Sequence, residues 1–211
     1  MINRLFLVSI KEIKIKKRTY PRYVYFKRKR KKKMEARDLF NKTSNEVLDL
    51  CGQQNSVPVN LKKILECFNI SATAVDFDEM LNKEEDFKDK KVSVLGAMIS
   101  DEDNVSIFYN SKDKEDSHRY RFTIAHELAH CCLHSQLSHI ELRMDPAYLS
   151  SEELKVNIFA GEILIPKDTL LRVKEQLFMP SIHTLADIFE VSDNVMRARL
   201  EHLNMLDQVY N

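Results

Sequence analysis

Glycine is scarce in this sequence: three in 211 residues. That scarcity argues against a loop-rich or all-β chain, which draws on glycine for turns and bulges. Paired cysteine is missing too. The four cysteines stand at 51, 67, 131 and 132 with no CxxC among them, and neighbours such as Cys131 and Cys132 rarely bridge without strain. The chain reads as a reduced, cytoplasmic protein. No apolar run approaches the roughly 18 residues of a membrane span. The stretch "LFLVSI" (5–10) is shorter than a signal-peptide core of about 7–15 residues, and no small-residue cleavage site follows it. What remains is an ordinary hydrophobic share, 44%, on a length that fits one globular domain with appendages.

The net charge of +1 conceals a split. Residues 1–33 carry 14 Lys/Arg against one acid, whereas the remainder carries 19 against 31. A basic arm is joined to an acidic body. The run "KRKRKKK" (27–33) has three readings. It can attract nucleic acid or an anionic surface. It can be a solvated tail held open by its own repulsion. Or residues 1–33 are leader translated from a start assigned too early, because Met34 opens "MEARDLFNKTSNEVLDL", which has the form of a natural helical start. The last reading is preferred, so nucleic acid is not expected as a partner of the body.

Along the body, Leu39, Phe40, Val47, Leu48 and Cys51 fall at helical spacing and predict a helix from Met34 to Cys51, stopped at Gly52. Asn60 caps a short helix whose Leu61, Ile64, Leu65 and Phe68 share one face. "ISATAVDF" (70–77) alternates as a strand, and 78–91 is a charged loop. "VSVLGAMIS" (92–100) and "NVSIFYNS" (104–111) flank an acidic turn and predict a hairpin. A long helix follows from Ser117 to about His134, then a connection of about 15 residues with a turn at Asp145–Pro146. A second long helix runs from Ser150 or Ser151 to Ile165 and stops at Pro166.

The chemistry lies in "RFTIAHELAHCCLH" (121–134). His126-Glu127-Leu128-Ala129-His130 is HExxH on a predicted helix. Histidines at i and i+4 lie one above the other, so both imidazoles can reach one Zn²⁺ at about 2.0–2.1 Å. The intervening Glu127 can hydrogen-bond the metal's water and act as general base. A catalytic zinc needs a third protein ligand. His134 lies eight residues after His126, about 12 Å along the axis, too far to share an ion with both. Leu133 and Gln136 stand where the metzincin extension needs Gly and His. His134 is therefore read as a wall or core histidine.

The next helix, "SEELKVNIFAGEILIP", puts Glu153 and Asn157 four apart on one face. Glu153 can ligate zinc, while Asn157 can orient a ligand by a hydrogen bond. Ala160 and Gly161 continue that side and are small enough for two helices to approach closely. Glu152 faces elsewhere with Val156, Phe159 and Ile163. A plain alternative for Glu153 is a capping box with Ser150.

These two blocks resemble the ImmA/IrrE family of bacterial zinc metallopeptidases, whose signature is RFtxAHELgHxxLH followed by ExxANxFAxxLLMP. The match is strong over about 121–166, with weaker echoes in "VPVNLKKILECFNISATAV" and "LADIFEVSDNVMRARL". Ala129, Val156 and Ile165 depart from the usual Gly, Ala and Met, and all are apolar. The resemblance implies a small gluzincin-like site with His126, His130 and Glu153 as ligands and Glu127 as base. It also implies a biological role, the cleavage of a helix-turn-helix repressor to relieve repression of a phage, mobile element or stress regulon. A residue to stabilise the oxyanion is not singled out; Tyr148, His139 and His183 are candidates.

The segment "LADIFEVSDNVMRARL" (185–200) has helix-turn-helix form, with Ser192 capping its second helix. Residues 181–211 hold Arg197 and Arg199 against five acids, which opposes phosphate binding. The arginines are read as packing on the core or touching a protein. The expected architecture is α+β: a mostly helical zincin-like core (34–180) with a small antiparallel sheet, followed by a helical segment (181–211) packed on it. Two functions compete: a zinc endopeptidase acting on a repressor, and a zinc-fold module that sequesters its regulator without cutting. Glu127 favours the first, because a scaffold needs no general base. A DNA-binding regulator is third.

Overall fold

Five short polar side chains start the helices of this chain. In the computed structural model, which describes residues 34–82, 93–101, 104–114, 117–134, 139–143 and 150–209, Thr43, Asn60, Ser150, Ser181 and Ser192 each accept a hydrogen bond from the backbone N–H three residues on, at 3.0–3.3 Å. Such caps satisfy donors that the first helical turn leaves open, each worth about 1 kcal/mol. They begin α1 (Ser44–Leu50), α2 (Leu61–Cys67), α5 (Ser151–Leu164), α7 (Ile182–Phe189) and α8 (Asp193–His202). Three further helices are α3 (Phe77–Asn82), α4 (Ser117–Leu133) and α6 (Lys167–Glu175).

The helix expected over 34–51 is broken. A 3₁₀ turn, Ala36–Leu39, precedes α1. Asn41 between them has φ 62, a left-handed conformation that asparagine tolerates. Thr43 and Glu46 then form a reciprocal capping box that restarts the chain as α1. The break has a use: the Asn41 N–H donates to the Cys132 carbonyl at 2.9 Å, satisfying an acceptor near the end of α4. The stretch 77–82, expected as the last strand residue and the start of a loop, is helical. The remainder of the charged loop, the basic arm 1–33 and the Asp145–Pro146 turn lie outside the described residues.

Strands β1 (Ile70–Val75), β2 (Ser93–Asp101), β3 (Asn104–Asn110) and β4 (His139–Arg143) form one sheet in the order β1-β3-β2-β4. The hairpin is present as expected: β2 and β3 pair antiparallel, with Ala97 opposite Phe108. The sheet is mixed, not purely antiparallel, because β1 joins β3 in parallel, Ile70 opposite Val105. A parallel neighbour needs a long crossover, and the segment between Val75 and Asn104 supplies it. Strand β4 pairs antiparallel with β2, inside the stretch expected as a plain connection.

Helix α4 crosses the core between the sheet and the other helices. Ala125, Leu128, Ala129 and Cys131 are fully buried, as are Ile107 of β3, Val156 and Ile163 of α5 and Leu185 of α7. The C-terminal pair joins this core through Arg199, whose Nε donates to the Ile165 carbonyl at 3.1 Å and whose guanidinium lies 3.5 Å from the Glu162 carboxylate. Glu162 also accepts from the Ser44 hydroxyl at 2.8 Å, so α1, α5 and α8 meet at one carboxylate. Arg197 is exposed; only Arg199 packs on the core. Among the described residues no helix is long and apolar enough to cross a membrane.

Replacing Arg199 by methionine keeps bulk but leaves the Ile165 carbonyl without this donor and removes the cation facing the Glu162 carboxylate. A loss of about 2–3 kcal/mol in unfolding free energy is expected, read by urea denaturation. A loss below about 0.5 kcal/mol, the level of an ordinary surface substitution, would show that this contact does not hold the C-terminal pair.

Candidate metal centre

Helical periodicity places the histidines. His126 and His130 are one turn apart on α4, both at most 4% exposed, and their Nε2 atoms are 3.1 Å apart. Helix α5 brings Glu153 to them: its carboxylate oxygens lie 3.4 Å from His126 Nε2 and 3.7 Å from His130 Nε2. These three donors form a cluster that could hold a metal ion. Two imidazoles and a carboxylate suit zinc and similar divalent ions. Their spacing fits as well, because ligands at 2.0–2.1 Å in tetrahedral array stand roughly 3.3 Å from one another. The residues present therefore fit a metal that leaves one position open.

The two roles read for Glu153 fall on different atoms. Its backbone N–H donates to Ser150 Oγ at 3.1 Å, so the residue does take part in the cap. The carboxylate does not close a capping box; it turns toward the histidines. Asn157, one turn further along α5, lies with Oδ1 3.0 Å from His126 Nδ1. An amide oxygen only accepts, so His126 donates from Nδ1 and presents the lone pair of Nε2 to the metal position.

Glu127 is fully buried. It sits on the neighbouring face of α4 from its two flanking histidines, against Gly96 of β2. His134 lies outside the donor cluster, half-buried, with its ring 5.3 Å from that of His130 and Nδ1 3.9 Å from the exposed Glu152. Gly161 corrects one expectation. A Cβ there would meet only Arg199 Cδ of α8, at an ordinary 3.8 Å, so glycine is not required for helix approach at this point. Cys131 and Cys132 are buried beside His130, and burial pushes both thiols up, that of Cys132 to about 12. Neither belongs to the donor cluster.

Of the oxyanion candidates, Tyr148 lies outside the described residues and His139 is on β4. His183 is on α7, 72% exposed, bonded to Asp193 at 3.1 Å and 3.6 Å from Asp187. The Asp193 hydrogen bond raises its pKa, and its partners belong to the C-terminal pair. Two residues outside the donor set shape its surroundings: Arg121, which opens the signature block with no role read for it, and Gly96, which stands outside that block. Arg121 donates to the Val59 carbonyl at 3.0 Å and the Glu190 carbonyl at 3.1 Å, tying the start of α4 to both flanks. Gly96 could have been noticed as one of only three glycines, placed inside a strand.

An α+β fold that buries a His-His-Glu donor set on two helices, with HExxH on one of them, is of the metallopeptidase type. Residues 65–201, well over half of the chain, match the profile of the IrrE N-terminal-like domain, Peptidase_M78, and the chain belongs to this family. No curated protein and no solved structure gives a match.

Glu153→Ala removes a donor and keeps the backbone cap, so metal retention falls sharply while the helix start survives. Glu152→Ala leaves metal content unchanged, and Asn157→Ala lowers affinity by about 10- to 100-fold. Equilibrium dialysis followed by metal analysis separates these outcomes. Equal metal content in the Glu152 and Glu153 variants would return Glu153 to capping alone.

Proposed function

We propose that the protein is a zinc-dependent endopeptidase that makes one or a few specific cuts in a helix-turn-helix repressor. The observation that carries the hydrolytic part is the donor triangle of His126, His130 and Glu153, with the fully buried Glu127 next to His126 in the chain. When bound, zinc lowers the pKa of a water toward about 7 and polarises the scissile carbonyl. The chain's own residues do the rest. Asn157 fixes the His126 tautomer. Glu127 takes the proton from the attacking water at its carboxylate and delivers it to the leaving amine. Burial of Glu127 keeps that carboxylate out of bulk water, where its proton would be lost to solvent.

The partner is supported by charge and by the family resemblance. The body after residue 33 has twelve more acids than bases, and the DNA-reading face of a repressor is basic. The reading that the chain sequesters its regulator without cutting differs at Glu127: a binding module has no use for a carboxylate buried at a metal site.

Glu127→Gln should retain zinc, since Glu127 is not a ligand, and lose cleavage by about 10²- to 10⁴-fold. Undiminished cleavage by this variant would remove the peptidase mechanism; undiminished derepression without any cleavage would favour sequestration. Cleavage of a repressor should also slow as salt rises, because attraction between the two charged surfaces is screened over about 8 Å at physiological ionic strength. Salt should act on KM more than on kcat. Rapid, salt-independent digestion of casein would count against a docked substrate.

A further inference from the structure

Gly96 lies in β2 between both of its neighbours in the sheet, opposite Tyr109 of β3 and Glu141 of β4. The register with β4 shifts between Val94 and Gly96, so the strand is bulged on entering this residue. Glycine inside a strand weakens it unless another group must come close. Here one does. A Cβ on Gly96 would stand 2.7 Å from Glu127 Oε1 and 2.7 Å from Thr123 Cγ2. Thr123 and Glu127 are one helical turn apart, so they project from one side of α4. Thr123 is held there by its own hydroxyl, which donates to the Arg119 carbonyl at 3.3 Å and restricts the rotamer that aims Cγ2 at the strand.

We propose that Gly96 is a positioning residue: the bare backbone of β2 is the surface against which the Glu127 carboxylate is set for its role as general base. This rests on the reading of Glu127 as general base. The two sides of the contact respond differently to an added methyl. Thr123 is β-branched and hydrogen-bonded, so it yields little. The end of the Glu127 side chain can swing, which costs little stability and moves the one group whose placement matters. His126 and His130 are held by Asn157 and Glu153 of α5, and the atoms nearest a Cβ on Gly96 belong to Glu127 and Thr123, so the metal ligands keep their places. The sheet bulge, the missing Cβ and the buried carboxylate thus serve a single geometry.

The test uses a probe that needs no substrate. Acetohydroxamate chelates zinc and gives its hydroxyl proton to a neighbouring carboxylate, so its affinity reports whether Glu127 is in place. It is titrated calorimetrically into the zinc-loaded full chain, with zinc content measured for each variant. Losing a charge-assisted hydrogen bond weakens binding by about 10- to 100-fold. That loss is expected for Glu127→Gln and, with zinc content unchanged, for Gly96→Ala. The double variant should be no weaker than Glu127→Gln alone, because both act through one carboxylate. Normal affinity in Gly96→Ala overturns the inference and leaves the base reading standing, as does an additive loss in the double variant. Normal affinity in Glu127→Gln removes the base reading and the inference with it. Should Gly96→Ala fail to fold, Gly96→Ala/Thr123→Ala relieves the stiff side of the contact. A folded protein with weakened hydroxamate binding then supports the proposal; normal binding, or failure to fold even so, assigns Gly96 to sheet packing alone.

Discussion

Three polar donors converge inside an apolar core, and the fold is arranged around making that tolerable. Bringing His126, His130 and Glu153 out of water costs several kcal/mol unless each finds a partner. The partners come from across the α4–α5 contact. Asn157 takes the outer nitrogen of His126, and the Glu153 carboxylate faces both inner nitrogens. A metal bound there would neutralise the set. The dependence therefore runs toward α5: if that helix slips by one residue, Glu153 and Asn157 leave the histidines together. The contacts that fix α5 are correspondingly specific. Its start is capped by Ser150, its end runs into Pro166, and Glu162 is held between Ser44 and Arg199.

The site is largely legible in the sequence because its geometry is local. Residues four apart on a helix share a face whatever the rest of the chain does, so His126 pairs with His130 and Glu153 with Asn157 on spacing alone. The two roles open to Glu153 are also local: its backbone N–H keeps the Ser150 cap, while its carboxylate faces the histidines and leaves the capping box open. The parts that escape are those fixed by distant partners. Strand β4 is short, and only pairing with β2 makes it a strand. The parallel docking of β1 on β3 leaves no mark on either segment. The break at Asn41 is matched by a carbonyl 91 positions away, at Cys132. Arg121 and Gly96 matter for what approaches them, and a single sequence does not record approach.

The two C-terminal arginines show how one feature can divide. The acidity of their surroundings points both toward packing or protein contact. Arg199 is buried and bonded to the end of α5, whereas Arg197 stays on the surface. The pair of helices keeps the outline of a nucleic-acid reader, yet one of its two cations is turned inward. What remains outside is acidic, and an acidic surface favours a basic partner over a phosphate backbone.

The order in which the chain is synthesised gives the clamps at its far end another meaning. The donor residues span only 126 to 153, and they leave the ribosome well before Glu190 and Arg199. Yet Glu190 fastens the start of α4 through Arg121, and Arg199 fastens the end of α5. During translation, which adds about 5–20 residues each second, there is an interval of some seconds in which the ligand helices exist without the two contacts that fix their far ends. Assembly of the site is thereby tied to completion of the C-terminal pair, and a nascent chain truncated before residue 190 would carry every ligand and lack both fastenings.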